Sequence, residues 1–410
     1  MRVALALACS LLPVTAAAAG PAPVAAAPTS PVIGGKNAKQ GAWPDVAGIM
    51  YPDPDHSGDE SVLCTGTLVA PTVVLTAAHC YDALQPLPEH VLIGTADLAR
   101  PEDGEIIAIK EAFVFPDPET TLDLAVLVLD QPSTREPRKI ADGWARADLV
   151  NGAAITFVGF GAIDEDGGMF INELQEASST ITDADCSKSP GCRVEGGELG
   201  AGGKGIDTCT GDSGGPLYLK TGAGFVLAGV TSRSYDDAQV ACSDGGIYVR
   251  PDGVLDWIEM VAGVPIARTP GPTADPIVAI HGNGGDTRIS VNDSDSDSHR
   301  FAIIRPPAHG QAKIRASDGT ARVCTDADAP VSDDQMSVRI TDADHSGRAL
   351  TMTIAIHIVE GTANTKCDFA GFDESGGCCD AGGRPGAALP LALGVLALVR
   401  RRRRRLTAAP

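Results

Sequence analysis

Between residues 32 and 265 the apolar residues come in short β-branched runs, Leu68 to Leu75, Leu124 to Leu129, Ile155 to Gly159 and Phe225 to Thr231 among them, separated by Gly, Pro and Asp turns. That spacing predicts an all-β barrel or sandwich. One segment departs from it: Asp252 to Val261 sets Val254, Leu255, Ile258 and Val261 at helical spacing, which predicts a single amphipathic helix closing the unit. A chain of 410 residues exceeds one ordinary domain. The Pro-rich stretch Thr269 to Pro276, inside a linker read at 266–276, marks the boundary, and 277–361 reads as a second, smaller β unit. Its strands are expected near Ile277 to His281, Ala312 to Arg315, Met336 to Ile340 and Leu350 to Val359.

The two ends carry targeting signals. Met1-Arg2 followed by the apolar Val3 to Ala19 reads as a signal peptide over 1–19, and the Pro/Ala-rich run 20–31 as a propeptide. An exported chain is expected, and its eleven cysteines suit an oxidising compartment, with Cys9 lost alongside the signal. The net charge of −21 argues against nucleic acid as a partner, because phosphates would be repelled over most of the surface. At the far end a Cys-containing linker, 362–386, carries Cys378-Cys379 and leads to a tail, 387–410. That tail holds an apolar run of about 13 residues, short of the roughly 20 that span a bilayer, and then Arg400 to Arg405.

Chemistry concentrates in two short strings. Glycines surround the serine in Gly211-Asp212-Ser213-Gly214-Gly215-Pro216. They let the backbone turn tightly enough for the Gly211 and Ser213 amides to aim at one point, where a carbonyl oxygen can become an oxyanion. A serine hydroxyl is a weak nucleophile at neutral pH and needs an imidazole to take its proton. Of the eight histidines only His79, in Thr76-Ala77-Ala78-His79-Cys80, has the right setting; His56, His90, His281, His299, His309, His345 and His357 read as solvated loop or strand-face residues. An imidazolium needs a carboxylate to fix its tautomer and offset its charge. Asp123 is the candidate, because it opens the apolar run to Leu129 and a carboxylate drawn inside must find a partner.

These strings, in the order His79, Asp123, Ser213, resemble the trypsin- or chymotrypsin-type serine proteases over about residues 32–261. The resemblance implies two six-stranded β-barrels with the active site between them and a C-terminal helix. It implies an oxyanion hole at Gly211 and Ser213, and activation by a cut that frees Val32 to pair with Asp212. Pro31 precedes that cut, so a separate activating protease is expected. The acid six residues before the nucleophile, Asp207, would form the floor of a substrate pocket selecting Arg or Lys, with Ser232, Ser234 and Gly246 on its walls. Arg233 and Ser234 depart from the family's aromatic residue and glycine there. Disulfides are expected for Cys64 with Cys80, Cys186 with Cys192 and Cys209 with Cys242.

Residues 277–361 loosely resemble Ig-like or cadherin-like repeats, a small β-sandwich. The tail resembles the C-terminal sorting signals of myxobacterial surface proteins, with a sorting enzyme acting at Cys378 or Cys379 and the protein secreted or held at the cell surface. The function expected is a serine endopeptidase acting on protein or peptide substrates, without cofactor or metal. Asn292 to Asp297 begins like a calcium loop but lacks the glycine and the distal glutamate, and so reads as a solvated acidic loop. Two other readings stand beside it: a catalytically silent protease fold used for binding, and an adhesin whose sandwich is the working part.

Overall fold

The computed structural model describes residues 32–54, 56, 58–116, 122–345, 347–361 and 367–372. The expected signal, the propeptide, Cys378, Cys379 and the 387–410 tail lie outside the described residues. After a two-residue strand, β1 (Lys36–Asn37), six strands close a first barrel. They are β2 (Val46–Pro52), β3 (Glu60–Ala70), β4 (Val73–Thr76), β5 (His90–Ile93), β6 (Glu105–Val114) and β7 (Ala125–Leu129), joined in the order β2-β3-β4-β7-β6-β5. The run Leu68 to Leu75 is thus two strands rather than one. The chain reverses at Pro71-Thr72, where proline cannot donate to a ladder, and Leu68 then pairs with Val74.

A second barrel is built from β8 (Ala154–Gly159), β9 (Gln175–Asp183), β10 (Glu198–Ala201), β11 (Pro216–Thr221), β12 (Gly224–Ser234) and β13 (Gly246–Val249). It closes because β8 pairs with both β11 and β9, and β1 adds to the outer side of β9. Three short helices accompany the barrels: α1 (His79–Asp82), α2 (Gly143–Ala147) and α3 (Leu255–Ala262). The helix expected from Asp252 starts three residues later, because Pro251–Val254 forms a tighter 3-10 turn first. Leu255 and Ile258 are its buried face.

What fixes the barrels against each other is a buried polar knot. The fully buried Asp45 takes hydrogen bonds from Arg138, on the connection between barrels, and from the Tyr218 hydroxyl of β11. Trp43 stacks on the Tyr218 ring at 4.9 Å. Each donor and acceptor is thereby satisfied across the junction, which an unpaired carboxylate at this depth would not tolerate.

Residues beyond the second barrel fold as two facing sheets. One has the order β14 (Ile277–Ile280), β20 (Ala349–Val359), β19 (Asp333–Asp342), β16 (His299–Arg305); the other has β15 (Gly284–Arg288), β18 (Thr320–Cys324), β17 (Gln311–Ile314). Ile277, Phe301, Val323, Met336, Val338 and Ile356 fill the space between them. Trp144 of α2, 2 % exposed, belongs to this same core although it comes from the barrel side of the chain.

Contacts with the barrels bear on two of the stretches read from sequence. The Asn292–Asp297 loop is only half solvated: Asn292, Ser294 and Asp297 are exposed, but Asp293 lies 3.1 Å from the His299 Nε2 with both side chains buried, Asp295 accepts the Gly222 amide, and the His299 ring meets Trp144 edge-on at 4.9 Å. The loop meets the β11–β12 hairpin through Asp295, and Trp144 of α2 covers His299. The stretch read as a linker is also bonded on both sides, Thr269 N–H to the Ile140 carbonyl at 3.0 Å and Thr273 N–H to Ser290 at 2.9 Å.

Candidate active site

Strand pairing brings the first two residues together. β4 and β7 are antiparallel with Thr76 opposite Ala125, so the residues that follow β4 lie beside those that precede β7. His79 opens α1 immediately past that point, and the disulfide Cys64–Cys80 fixes the turn to β3. Closing such a loop contributes about 3 kcal/mol in chain-entropy terms. The Asp123 carboxylate takes the His79 backbone N–H at 3.0 Å and meets its Nδ1 at 2.8 Å. The Ser232 hydroxyl donates to the same carboxylate at 2.7 Å.

The electrostatics follow from these bonds. Hydrogen bonding to Asp123 raises the His79 pKa above its ordinary value, with burial opposing and the Asp123 charge assisting. Burial alone pushes Asp123 upward, but the hydrogen bond and charge of His79 outweigh it and hold the carboxyl below the usual range. Nε2 of His79 is therefore the ring nitrogen left to exchange a proton.

The loop before β11 carries Ser213. Gly211 at φ 93° and Gly214 at φ 79° take the left-handed turns that a side chain would oppose, and a Cβ on Gly214 would lie 2.0 Å from the Thr76 Oγ1. Thr65 of β3 pins this loop from the other barrel. Its N–H donates to the Ser213 carbonyl at 2.9 Å, and its hydroxyl donates to the Gly211 carbonyl at 2.9 Å while accepting the Phe160 N–H at 3.2 Å. The amides of Asp212, Gly214 and Gly215 are all engaged, whereas among the described residues the Gly211 and Ser213 amides have no hydrogen-bond partner. His79, Gly211 and Ser213 line one cleft of about 720 Å³.

A smaller cavity of about 170 Å³ shares Ser213 and is lined by Asp207, Ser232, Arg233, Ser234, Cys242 and Gly246. Asp207 is 1 % exposed and its carboxylate accepts the Gly245 and Thr208 amides at 2.7 and 2.8 Å. Burial, opposed by those two amides, pushes its pKa up to about 7. Arg233 does not stand free at the entrance. Its guanidinium pairs with the buried Glu198 at 2.8 Å and donates to the Gly191 carbonyl and the Ser232 hydroxyl. The Ser234 hydroxyl is spent on the Ala241 carbonyl at 2.5 Å.

Val32 is fully buried, and Ile33 packs against Ala162 and the Cys209–Cys242 disulfide. Asp212, 1 % exposed, accepts the Cys209 and Gly161 amides and, among the described residues, has no cation beside it. Burial pushes its pKa up to about 7. A Cβ on Gly161 would come within 2.4 Å of its carboxyl carbon, so the glycine is required for the close approach. Cys186–Cys192 and Cys324–Cys367 are also bridged.

Residues 32–258, more than half of the chain, match the family profile described as trypsin. The chain belongs to the trypsin family. Relatives in this family include the glucanase inhibitor protein 1 of Phytophthora sojae, 30 % identical over 56 % of this chain and 88 % of that protein. The glucanase inhibitor protein 3 of Phytophthora infestans is 32 % identical over 56 % of this chain and 88 % of its own length. A protein named trypsin from Saccharopolyspora erythraea is 29 % identical over 55 % of this chain and 95 % of its own. Four disulfides among the described residues and this family membership fit an extracellular protein.

Thr65 and Glu198 went unnoticed in sequence. Each acts through a partner distant along the chain, and only the position of Thr65 next to Cys64 offered a local signal.

Proposed function

We propose that the chain is a serine endopeptidase in which Ser213 attacks a peptide carbonyl, His79 takes and returns the proton, Asp123 holds the imidazole, and the Gly211 and Ser213 amides receive the oxyanion. The observation that carries this is the His79 Nδ1 contact with Asp123 at 2.8 Å, made while His79 faces the cleft shared with Ser213. Ser213→Ala should abolish labelling by a fluorophosphonate and lower peptide hydrolysis by at least about 10³-fold with melting unchanged. Full activity in that variant would refute the assignment.

Asp207 is proposed to bind Arg or Lys at the residue before the scissile bond, with Gly246 leaving one wall open. Cleavage after Pro31 by another protease is proposed to free the Val32 ammonium for Asp212, which otherwise holds its carboxyl without a cation. We further propose that 277–361 is an Ig-like or cadherin-like unit and that the tail directs surface attachment through processing at Cys378 or Cys379. Terminal sequencing and mass spectrometry of the native protein test both ends: a chain running from Val32 to near Cys378 agrees, and surface protein retaining 400–410 excludes processing.

The similarity to proteins named glucanase inhibitors favours a second reading, in which the fold binds a protein partner without catalysis. The presence together of His79, Asp123 and Ser213 weighs against it, and the same Ser213→Ala experiment separates the two.

A further inference from the structure

Two cavities meet at Ser213. The smaller one contains Asp207 and, on the protease reading, takes the side chain on the acyl side of the scissile bond. A polypeptide seated this way has the larger cleft left for the residues that follow the bond. That cleft is walled by Cys64, His79 and Gly211, and its remaining lining is largely apolar.

Three of the lining side chains are exposed to an unusual degree for their type: Leu63 of β3 at 50 %, Ile106 of β6 at 52 % and Phe170, from the loop before β9, at 55 %. They come from three separate segments and converge on one place. Single exposed apolar residues are ordinary, but a contiguous group beside a reactive centre marks a surface that another chain covers. Phe170 also lies next to Gly211, since a Cβ built there would meet its ring at 3.2 Å.

We propose that this trough receives large apolar side chains at the first positions after the scissile bond, so that the substrates are polypeptides in which a basic residue is followed by Leu, Ile, Phe or Met. The occupant is the leaving-group segment of the substrate, because the trough is continuous with His79 and Ser213. This rests on the protease reading given above.

Acyl transfer separates the two. An arginine or alanine ester acylates Ser213 without using the trough. The amine nitrogen of an added dipeptide amide then attacks the acyl carbon, the bond to the Ser213 oxygen breaks, and His79 passes the amine proton to that oxygen, leaving a new peptide bond and free serine. Chain starting at Val32 is given leucyl-leucinamide or glycyl-glycinamide, and the ratio of aminolysis to hydrolysis is read by chromatography. The leucyl amide should capture the acyl-enzyme about 10-fold better or more. In the triple variant Leu63→Ser, Ile106→Ser, Phe170→Ser, with wild-type melting, that advantage should vanish. Equal capture of both amides by the wild type overturns the proposal while ester turnover leaves the protease reading standing. Absence of both ester turnover and fluorophosphonate labelling overturns the protease reading and this proposal with it.

Discussion

At the scale of single residues the site holds three carboxylates in two different settings. Asp123 has an imidazole and a hydroxyl to hold it ionised, whereas Asp207 and Asp212 have only backbone amides, and burial pushes both up to about 7. Two pH dependences follow. Because His79 must be neutral to act as base and its pKa is raised, kcat/KM should climb with pH along a limb centred above the ordinary histidine value of about 6.5. A limb centred well below that value would mean that the Asp123 bond is absent in solution. Asp207 attracts a cation only when ionised, so benzamidine inhibition should tighten as pH rises through about 7, and Asp207→Ser should both weaken inhibition and flatten its pH dependence. Arg233 is less of an obstacle than its sequence position implies, since Glu198 already neutralises it.

Among elements, the decisive contact is between β3 of one barrel and the Ser213 loop of the other. Thr65 bonds to that loop through both its amide and its hydroxyl, so the Gly211–Ser213 segment is held in place by a strand of the opposite barrel. Thr65→Val keeps the shape but strands the Gly211 carbonyl and the Phe160 amide, at a cost of about 1–3 kcal/mol. The expected result is a folded protein with a lower melting point and a fall in kcat larger than any change in KM; a variant with wild-type kcat would show the strut to be dispensable. The sequence disclosed strands and reactive residues where a short string carries the signal, as at Gly211 to Pro216 or in the alternation of β20. It did not disclose β15, which has no apolar side chain, or β16 and β18, whose apolar residues span four or fewer consecutive positions, nor the break at Pro71 inside an apolar run. Thr65 and Glu198 matter only through partners far along the chain, and no local pattern reports those.

Over the whole molecule, the barrels and the sandwich share an interface with excess negative charge. Asp148 is 3 % exposed and lies 3.1 Å from Arg348, but without hydrogen-bond geometry, and Arg348 is shared with Asp295. Burial, with the charges of Asp295, Asp293 and Asp342 adding to it, outweighs the single guanidinium and pushes Asp148 up to about 7. Its folded pKa thus exceeds the unfolded value of about 3.9, so the stability it contributes is complete below that value and is lost as pH rises toward 7. The melting difference between Asp148→Asn and wild type should accordingly grow in favour of the variant from pH 4 to pH 7 and then level off. A difference independent of pH would show that Arg348 keeps the carboxylate ionised. Trp144 sits in the same interface, inside a core whose other members come from much later in the chain. During synthesis its indole must emerge and wait in water until β16 to β20 have been made. A chain shortened before residue 299 therefore keeps every strand of both barrels but displays a tryptophan that the later sheets would have covered.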